Sequence, residues 1–143
     1  MGQTQTINRI HNMLVGQTAR YALIPAVTGV PAVGAISTTQ AGAWSAAYTD
    51  LAALNAITVD FWICGFYIDT LGAFQIYDVQ VADATPTVLT EFRLDATAVT
   101  PNLGLIPAGA YPIAMVANAV VQYRAGSAAA KVIGVSMLYG TGL

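Results

Sequence analysis

The side chains that could carry out chemistry in this chain are few and stand apart. Its 143 residues include one histidine, His11, and one cysteine, Cys64. A protein zinc site needs about four ligands, so neither residue can build one from its own kind. His11 lies in a polar segment, where we expect a solvated or capping role. No cation flanks Cys64, which predicts a buried structural thiol, and a single cysteine cannot form a disulfide within the chain.

The acidic side chains are mostly single and well separated: Asp50, Asp60, Asp69, Asp78, Asp83, Glu91 and Asp95. Two of them could meet in space as a glycosidase pair, which the sequence leaves open. Asp69, Asp78 and Asp83 lie near predicted turns, where capping of backbone amides is the expected role and calcium binding is the alternative. Nucleophile-elbow, phosphate-loop and calcium-loop patterns do not occur. We therefore expect no enzyme activity and no cofactor.

Composition indicates a chain that needs a covering partner. Charged residues make up 8% of it, against roughly 25% in an average soluble domain, while 56% are hydrophobic. A membrane or a protein partner could cover such a surface. Residues 21–49 and 96–123 carry no charge and are long enough to cross a bilayer. Prolines and glycines interrupt both, so we predict that neither is a membrane span.

The charge distribution argues against nucleic acid as the partner. The net charge is −2, and the five basic residues Arg9, Arg20, Arg93, Arg124 and Lys131 are dispersed. Neutralising phosphates requires a basic face, which this pattern does not supply. The first residues lack a basic cluster followed by an apolar run, so no signal peptide is expected and synthesis in the cytoplasm is the default.

Short apolar runs between turn residues predict an all-β domain. Residues 57–68 alternate in polarity, and so do 87–94, where Glu91 and Arg93 fall on one face that should be the wetter. Residues 46–56 could form a short helix or an extended segment. Residues 125–127 are expected to form a turn. Further strands are predicted at 73–81, 111–117, 120–124 and 130–139.

This spacing favours an antiparallel β-sandwich, with a jelly roll as its commonest eight-stranded form. We assign the sandwich to residues 20–143. The polar residues 1–19 are predicted to be an extended N-terminal arm or a loosely attached segment.

The order of motifs resembles that of small virion proteins of tailed phages, which are capsid decoration proteins or tail-associated β-domains. The similar segments cover the last two thirds of the chain, and the first forty residues fall outside them. The resemblance implies a proline–glycine hairpin before a strand that returns across the sandwich, and a final Val/Leu-rich strand that completes a sheet. The segments that carry it are 42–51, 74–81, 87–94, 106–113 and 128–138.

The resemblance implies a structural protein of the virion. We expect a decoration, or cement, protein that self-associates, as a trimer, and binds the major capsid protein or other virion proteins. A tail or head-to-tail connection protein is one alternative. A carbohydrate-binding module that stacks a sugar on Trp44, Tyr48 or Trp62 is the other. The candidate contact residues are Arg9, His11, Arg20, Trp44 and Tyr48.

Overall fold

The regular elements of the chain are all β-strands. The computed structural model describes residues 20–25, 34–97 and 105–142, and within these ranges it contains no helix. The predicted all-β class is therefore confirmed. The strands are β1 (Arg20–Ile24), β2 (Ala35–Thr38), β3 (Gln40–Ala41), β4 (Thr49–Ala52), β5 (Phe61–Leu71), β6 (Ile76–Ala82), β7 (Val88–Asp95), β8 (Ile106–Pro107), β9 (Ile113–Met115), β10 (Val121–Ser127) and β11 (Val132–Thr141).

The strands form two sheets that pack face to face. In the first sheet β11 lies between β5 and the short strands β1 and β2, and β8 and β9 pair with the other edge of β5. In the second sheet β10 lies between β6 and the pair β3 and β4, and β7 follows β6. All pairs are antiparallel except β3 with β10, which is parallel. The sandwich is confirmed, and its jelly-roll form stays a prediction.

Alternating apolar residues from both sheets build the core. Phe61, Ile63 and Phe66 of the first sheet are buried, and Phe66 stacks on Phe92 of β7 with ring centroids 5.3 Å apart. On β7 the predicted wetter face is confirmed, because Glu91 and Arg93 are exposed whereas Phe92 is half-buried. Burial of these aromatic and β-branched side chains is the main force that holds the two sheets together.

Two predicted boundaries are wrong. Residues 57–60 lie outside β5, because their polar groups bond to a neighbouring loop instead of to a strand. The amide of Asn118 donates to the carbonyl of Ile57 at 2.8 Å, and the amide of Ala117 donates to the Asp60 carboxylate at 2.9 Å. Residues 125–127 belong to β10 rather than to a turn, since Gly126 pairs with Asp78 of β6.

Residues 46–56 adopt the extended alternative rather than a helix. They contain β4, which is followed by a turn in which Asn55 has a φ of 65°. This turn lies at the same end of the sandwich as residues 83–87 and 116–120, because Val121 pairs with Ala52 and Gln122 pairs with Ala82. Residues 72–75 and 128–131 lie at the opposite end, where the amide of Gly72 bonds to the carbonyl of Val132 at 2.8 Å.

Candidate functional site

A row of three polar side chains crosses the outer face of the second sheet. Arg124 of β10, Gln80 of β6 and Glu91 of β7 lie directly opposite one another in the strand register. Arg124 Nε donates to Gln80 Oε1 at 2.7 Å, and Gln80 Nε2 donates to Glu91 Oε1 at 2.6 Å. Gln80 is 6% exposed. A buried amide with both ends bonded holds its two charged neighbours in fixed positions.

Trp44 and Tyr48 meet over Arg124. The Arg124 guanidinium carbon lies 5.6 Å from the ring centroid of Trp44 and 4.9 Å from that of Tyr48, both within cation–π range. The Tyr48 hydroxyl also donates to Gln80 Oε1 at 3.1 Å. The structure thus brings these two candidate contact residues together on an arginine that sequence reasoning treated only as a dispersed cation. Arg124 follows the buried Tyr123 along the strand, and this alternation indicates that the Arg124 side chain lies on the outer face. It does not identify the residues that Arg124 contacts.

The next row of the same sheet contains an ion pair beside a glycine. Arg93 Nε lies 2.7 Å from Asp78 Oδ1, and its Nη2 lies 3.1 Å from Oδ2. The hydrogen bond from Arg93 holds the pKa of Asp78 below its ordinary value. Asp78 lies within β6 and not near a turn, so its predicted capping role is wrong. On its other side it pairs with Gly126.

The chain crosses closely over β10 at Gly126. A methyl group at this position would lie 2.6 Å from the carbonyl oxygen of Ala43. A cleft of about 520 Å³ opens here, which we call the Trp44 cleft. Its lining residues are Gly42, Ala43, Trp44, Ile76, Asp78, Arg93, Gly126, Ser127 and Ala128. A smaller recess of about 310 Å³ shares Trp44 and the ion pair with it and adds Glu91 and Phe92.

A second candidate surface lies at one end of the sandwich. Leu54, Val59 and Val116 are 68%, 53% and 70% exposed. They lie on two loops joined by backbone hydrogen bonds, including the one from the amide of Asn118 to the carbonyl of Ile57. We call these three side chains the apolar end. Sequence reasoning missed them, because all three fall in predicted regular elements: Leu54 in residues 46–56, and Val59 and Val116 in the predicted strands 57–68 and 111–117.

The remaining candidate residues are dispersed. Arg20 is exposed on β1 and pairs with Thr141, which in turn pairs with Phe61 at the start of β5. Arg20 therefore lies at the end of the sandwich that carries the apolar end. Arg9 and His11 lie outside the described residues. Cys64 is half-buried rather than buried. Its thiol lies 3.7 Å from the carbonyl oxygen of Trp62, and burial raises its pKa.

Most acidic side chains near turns bond to the backbone. Asp83 accepts hydrogen bonds from the amides of Thr85 and Thr87 at 2.9 and 2.7 Å, which confirms turn capping there. Asp69 accepts one from the amide of Gly34 across the sheet. No group of three or more His, Cys, Asp or Glu side chains that could hold a metal ion is found among the residues that the structure describes.

Within those same residues, no helix is long and apolar enough to span a membrane. No protein-family model, no curated protein and no solved structure matches the chain.

Proposed function

We propose that this protein is a structural component of a tailed-phage virion, a decoration protein that binds the outer face of the capsid. The observation that supports this most is the apolar end. Leu54, Val59 and Val116 lie on two loops that are hydrogen-bonded to each other, and all three are more than half exposed. Large apolar side chains grouped in this way mark surfaces that a protein partner covers. The resemblance of the motif order to that of tailed-phage virion proteins suggests the kind of partner.

The wider surface suits association because it combines many apolar side chains with few free charges. Ten large hydrophobic side chains are exposed among the described residues. Several charged groups are already bonded within the chain, such as Asp78 with Arg93, Asp60 with the amide of Ala117, and Arg124 with Gln80. A partner that covers this surface therefore displaces water without leaving many charges unpaired, which lowers the cost of desolvation.

The mechanism of such a protein is repeated burial of apolar surface. Fully burying one Leu or Val contributes about 1.5–3 kcal/mol, so the exposed fractions of Leu54, Val59 and Val116 can contribute roughly 1–2 kcal/mol each on docking. That is enough for a modest single contact. Self-association into a trimer would present the apolar end three times, and linked contacts gain about a hundredfold or more in avidity.

A tail or head-to-tail position is the competing structural role. The same apolar end would then bind a ring of neighbouring subunits, and the copy number separates the two. A decorated shell carries on the order of hundreds of copies, whereas a closed ring of a connector carries about six or twelve. Imaging of the native particle with this chain located in it would decide between them.

The binding test uses capsids that lack this protein and the purified full chain. We expect wild type to bind them, and the combined variant Leu54→Ser, Val59→Thr, Val116→Thr to bind at least about a hundredfold more weakly, since roughly 1.4 kcal/mol corresponds to a factor of ten. Phe74→Ser is the matched control. Phe74 is 59% exposed, but it lies at the opposite end of the sandwich. Wild-type protein that stays monomeric and does not bind capsids would refute the proposal.

A further inference from the structure

We propose that the Trp44 cleft is a binding site for a neutral saccharide. The site lies on the outer face of the second sheet, away from the apolar end, and it rests on different observations from the proposed function. Three features carry the inference: a fixed aromatic wall, a floor of backbone and small side chains, and an exposed ion pair with hydrogen-bonding capacity left over.

The aromatic wall is held in place before any ligand arrives. Trp44 is half-buried and lines both the cleft and the smaller recess. Arg124 lies against its ring and is itself fixed by its hydrogen bond to Gln80, which is buried. A ring that is already ordered loses little conformational entropy on binding. Its apolar face offers a stacking surface for the C–H groups of a sugar ring.

The floor of the cleft is built from backbone and small side chains. Gly126 has no side chain, and the neighbouring Ser127 and Ala128 have small ones. The carbonyl of Ala43 crosses over Gly126 so closely that no larger residue fits there. The space directly over Gly126 is therefore filled by backbone, and a flat ring would lie against Trp44 beside the small side chains of Ser127 and Ala128. The volume of about 520 Å³ lies within the range of about 300–1,000 Å³ that small-molecule sites occupy.

The ion pair supplies polar contacts without a net charge. The side chains of Arg93 and Asp78 are 67% and 40% exposed. Arginine has five N–H donors, and two of them bond to Asp78. The others, together with the free lone pairs of the carboxylate, match the alternating donors and acceptors of vicinal hydroxyl groups. A phosphate or carboxylate ligand would face Asp78 and, in the recess, Glu91, so the charge pattern favours a neutral ligand.

The first measurement screens the full-length protein on an array of immobilised oligosaccharides that includes neutral hexose, N-acetylhexosamine and deoxyhexose chains beside sialylated and sulfated ones. We expect saturable binding confined to neutral chains. The best of these oligosaccharides is then titrated in solution against the Trp62→Phe variant. The chain has two tryptophans, so this variant leaves Trp44 as the sole indole reporter, and its fluorescence should change on binding.

Two variants test the site, and Trp62→Phe is the matched control. Trp44→Ala and Arg93→Gln should each weaken binding to the selected oligosaccharide at least tenfold, whereas Trp62→Phe should leave it unchanged. Thermal unfolding of each variant shows whether the fold persists. If Trp44→Ala does not fold, Arg93→Gln decides, because Arg93 is exposed. Capsid binding by Trp44→Ala should equal that of wild type, which separates this proposal from the previous one.

Three results would overturn the inference. The first is an array on which no neutral saccharide binds. The second is binding only to sialylated or sulfated chains, which would mean that the protein recognises negative charge rather than the hydroxyl groups of a neutral sugar. The third is affinity that survives in both folded variants or is lost in Trp62→Phe, which would place the site elsewhere.

Discussion

The buried hydroxyl of Tyr123 links the two sheets, and its removal is a sharp test of the sandwich. Tyr123 lies on β10 in the second sheet and is 0% exposed. Its hydroxyl bonds to the carbonyl of Ala35 on β2 and lies 3.2 Å from the carbonyl of Ile133 on β11, both in the first sheet. Replacement of Tyr123 by Phe keeps the ring and removes only this bond across the core.

The expected cost follows from the loss of a buried donor. The fold loses about 1–2 kcal/mol at neutral pH because the two carbonyls are left without their donor, which for a chain of this size corresponds to a fall in Tm of roughly 3–7 °C. Burial, with a smaller contribution from the negative charge of Asp69, raises the pKa of the Tyr123 hydroxyl well above its ordinary value. The folded protein therefore keeps this proton when the unfolded chain has lost it.

The raised pKa gives the prediction a pH dependence with a definite sign. The contribution of Tyr123 is fully present below the unfolded pKa of about 10 and is lost as the pH rises above it, at up to about 1.4 kcal/mol per pH unit. Phenylalanine has no proton to lose. The gap in stability between wild type and Tyr123→Phe should therefore narrow by about 1.4 kcal/mol between pH 7 and pH 11.

Urea-induced unfolding at pH 7 and pH 11, followed by tryptophan fluorescence, measures both quantities. Tyr21→Phe is the matched control, because Tyr21 is 60% exposed on β1, and its change should stay within about 0.5 kcal/mol. A Tyr123→Phe variant as stable as wild type at pH 7 would refute the bond between the sheets. A gap of equal size at both pH values would refute the role of burial.

Other substitutions probe the second sheet and the thiol. Gly126→Ala should lower the free energy of unfolding by about 1–3 kcal/mol, because the added methyl group would lie 2.6 Å from the carbonyl oxygen of Ala43. Gly109→Ala should be tolerated, since the nearest atom there is 3.9 Å away. Thermal denaturation of the two variants compares these effects. Iodoacetamide should label Cys64 more slowly than free cysteine at pH 7.5 and faster as the pH rises, since its pKa is raised. Asp78→Asn should flatten the loss of stability below about pH 4, because the bond from Arg93 that lowers the pKa of Asp78 stabilises the fold above that range. The pair is exposed and screened by solvent, so the effect should be small, and acid titration of unfolding measures it.

Alternation in the sequence predicted the long strands β5, β6, β7, β10 and β11, because it reports which side chains enter the core, but the short strands β1 to β4 and β8 were not predicted. On β7 the charged residues Glu91 and Arg93 fell on the outer face, as expected from a period of two. The same alternation says nothing about which strand lies opposite. Gln80 is 44 residues from Arg124 and 11 from Glu91, so the row that positions Trp44 could not be derived from the sequence.

Two errors show where local patterns mislead. The sequence pattern predicts a turn at Gly126, but a glycine also occurs where another backbone approaches closely, as that of Ala43 does here. The alternating pattern likewise predicts that Val59 lies in a strand. In the structure the neighbouring Asp60 caps the amide of Ala117 instead, and this polar contact holds the segment as a loop with Val59 exposed.

The two proposed surfaces are far enough apart to act independently. Along β10 the strand runs from Val121, which pairs with Ala52 next to the apolar end, to Gly126 on the floor of the Trp44 cleft. Five steps at about 3.3 Å separate them by roughly 17 Å. A partner seated on the apolar end would therefore leave the cleft open to solvent, and a sugar bound beside Trp44 would not displace that partner. Substitutions at sites this far apart normally combine additively, so the variants at one surface should leave binding at the other unchanged. A loss of both activities from either set would mean that the second sheet and the apolar end form one site.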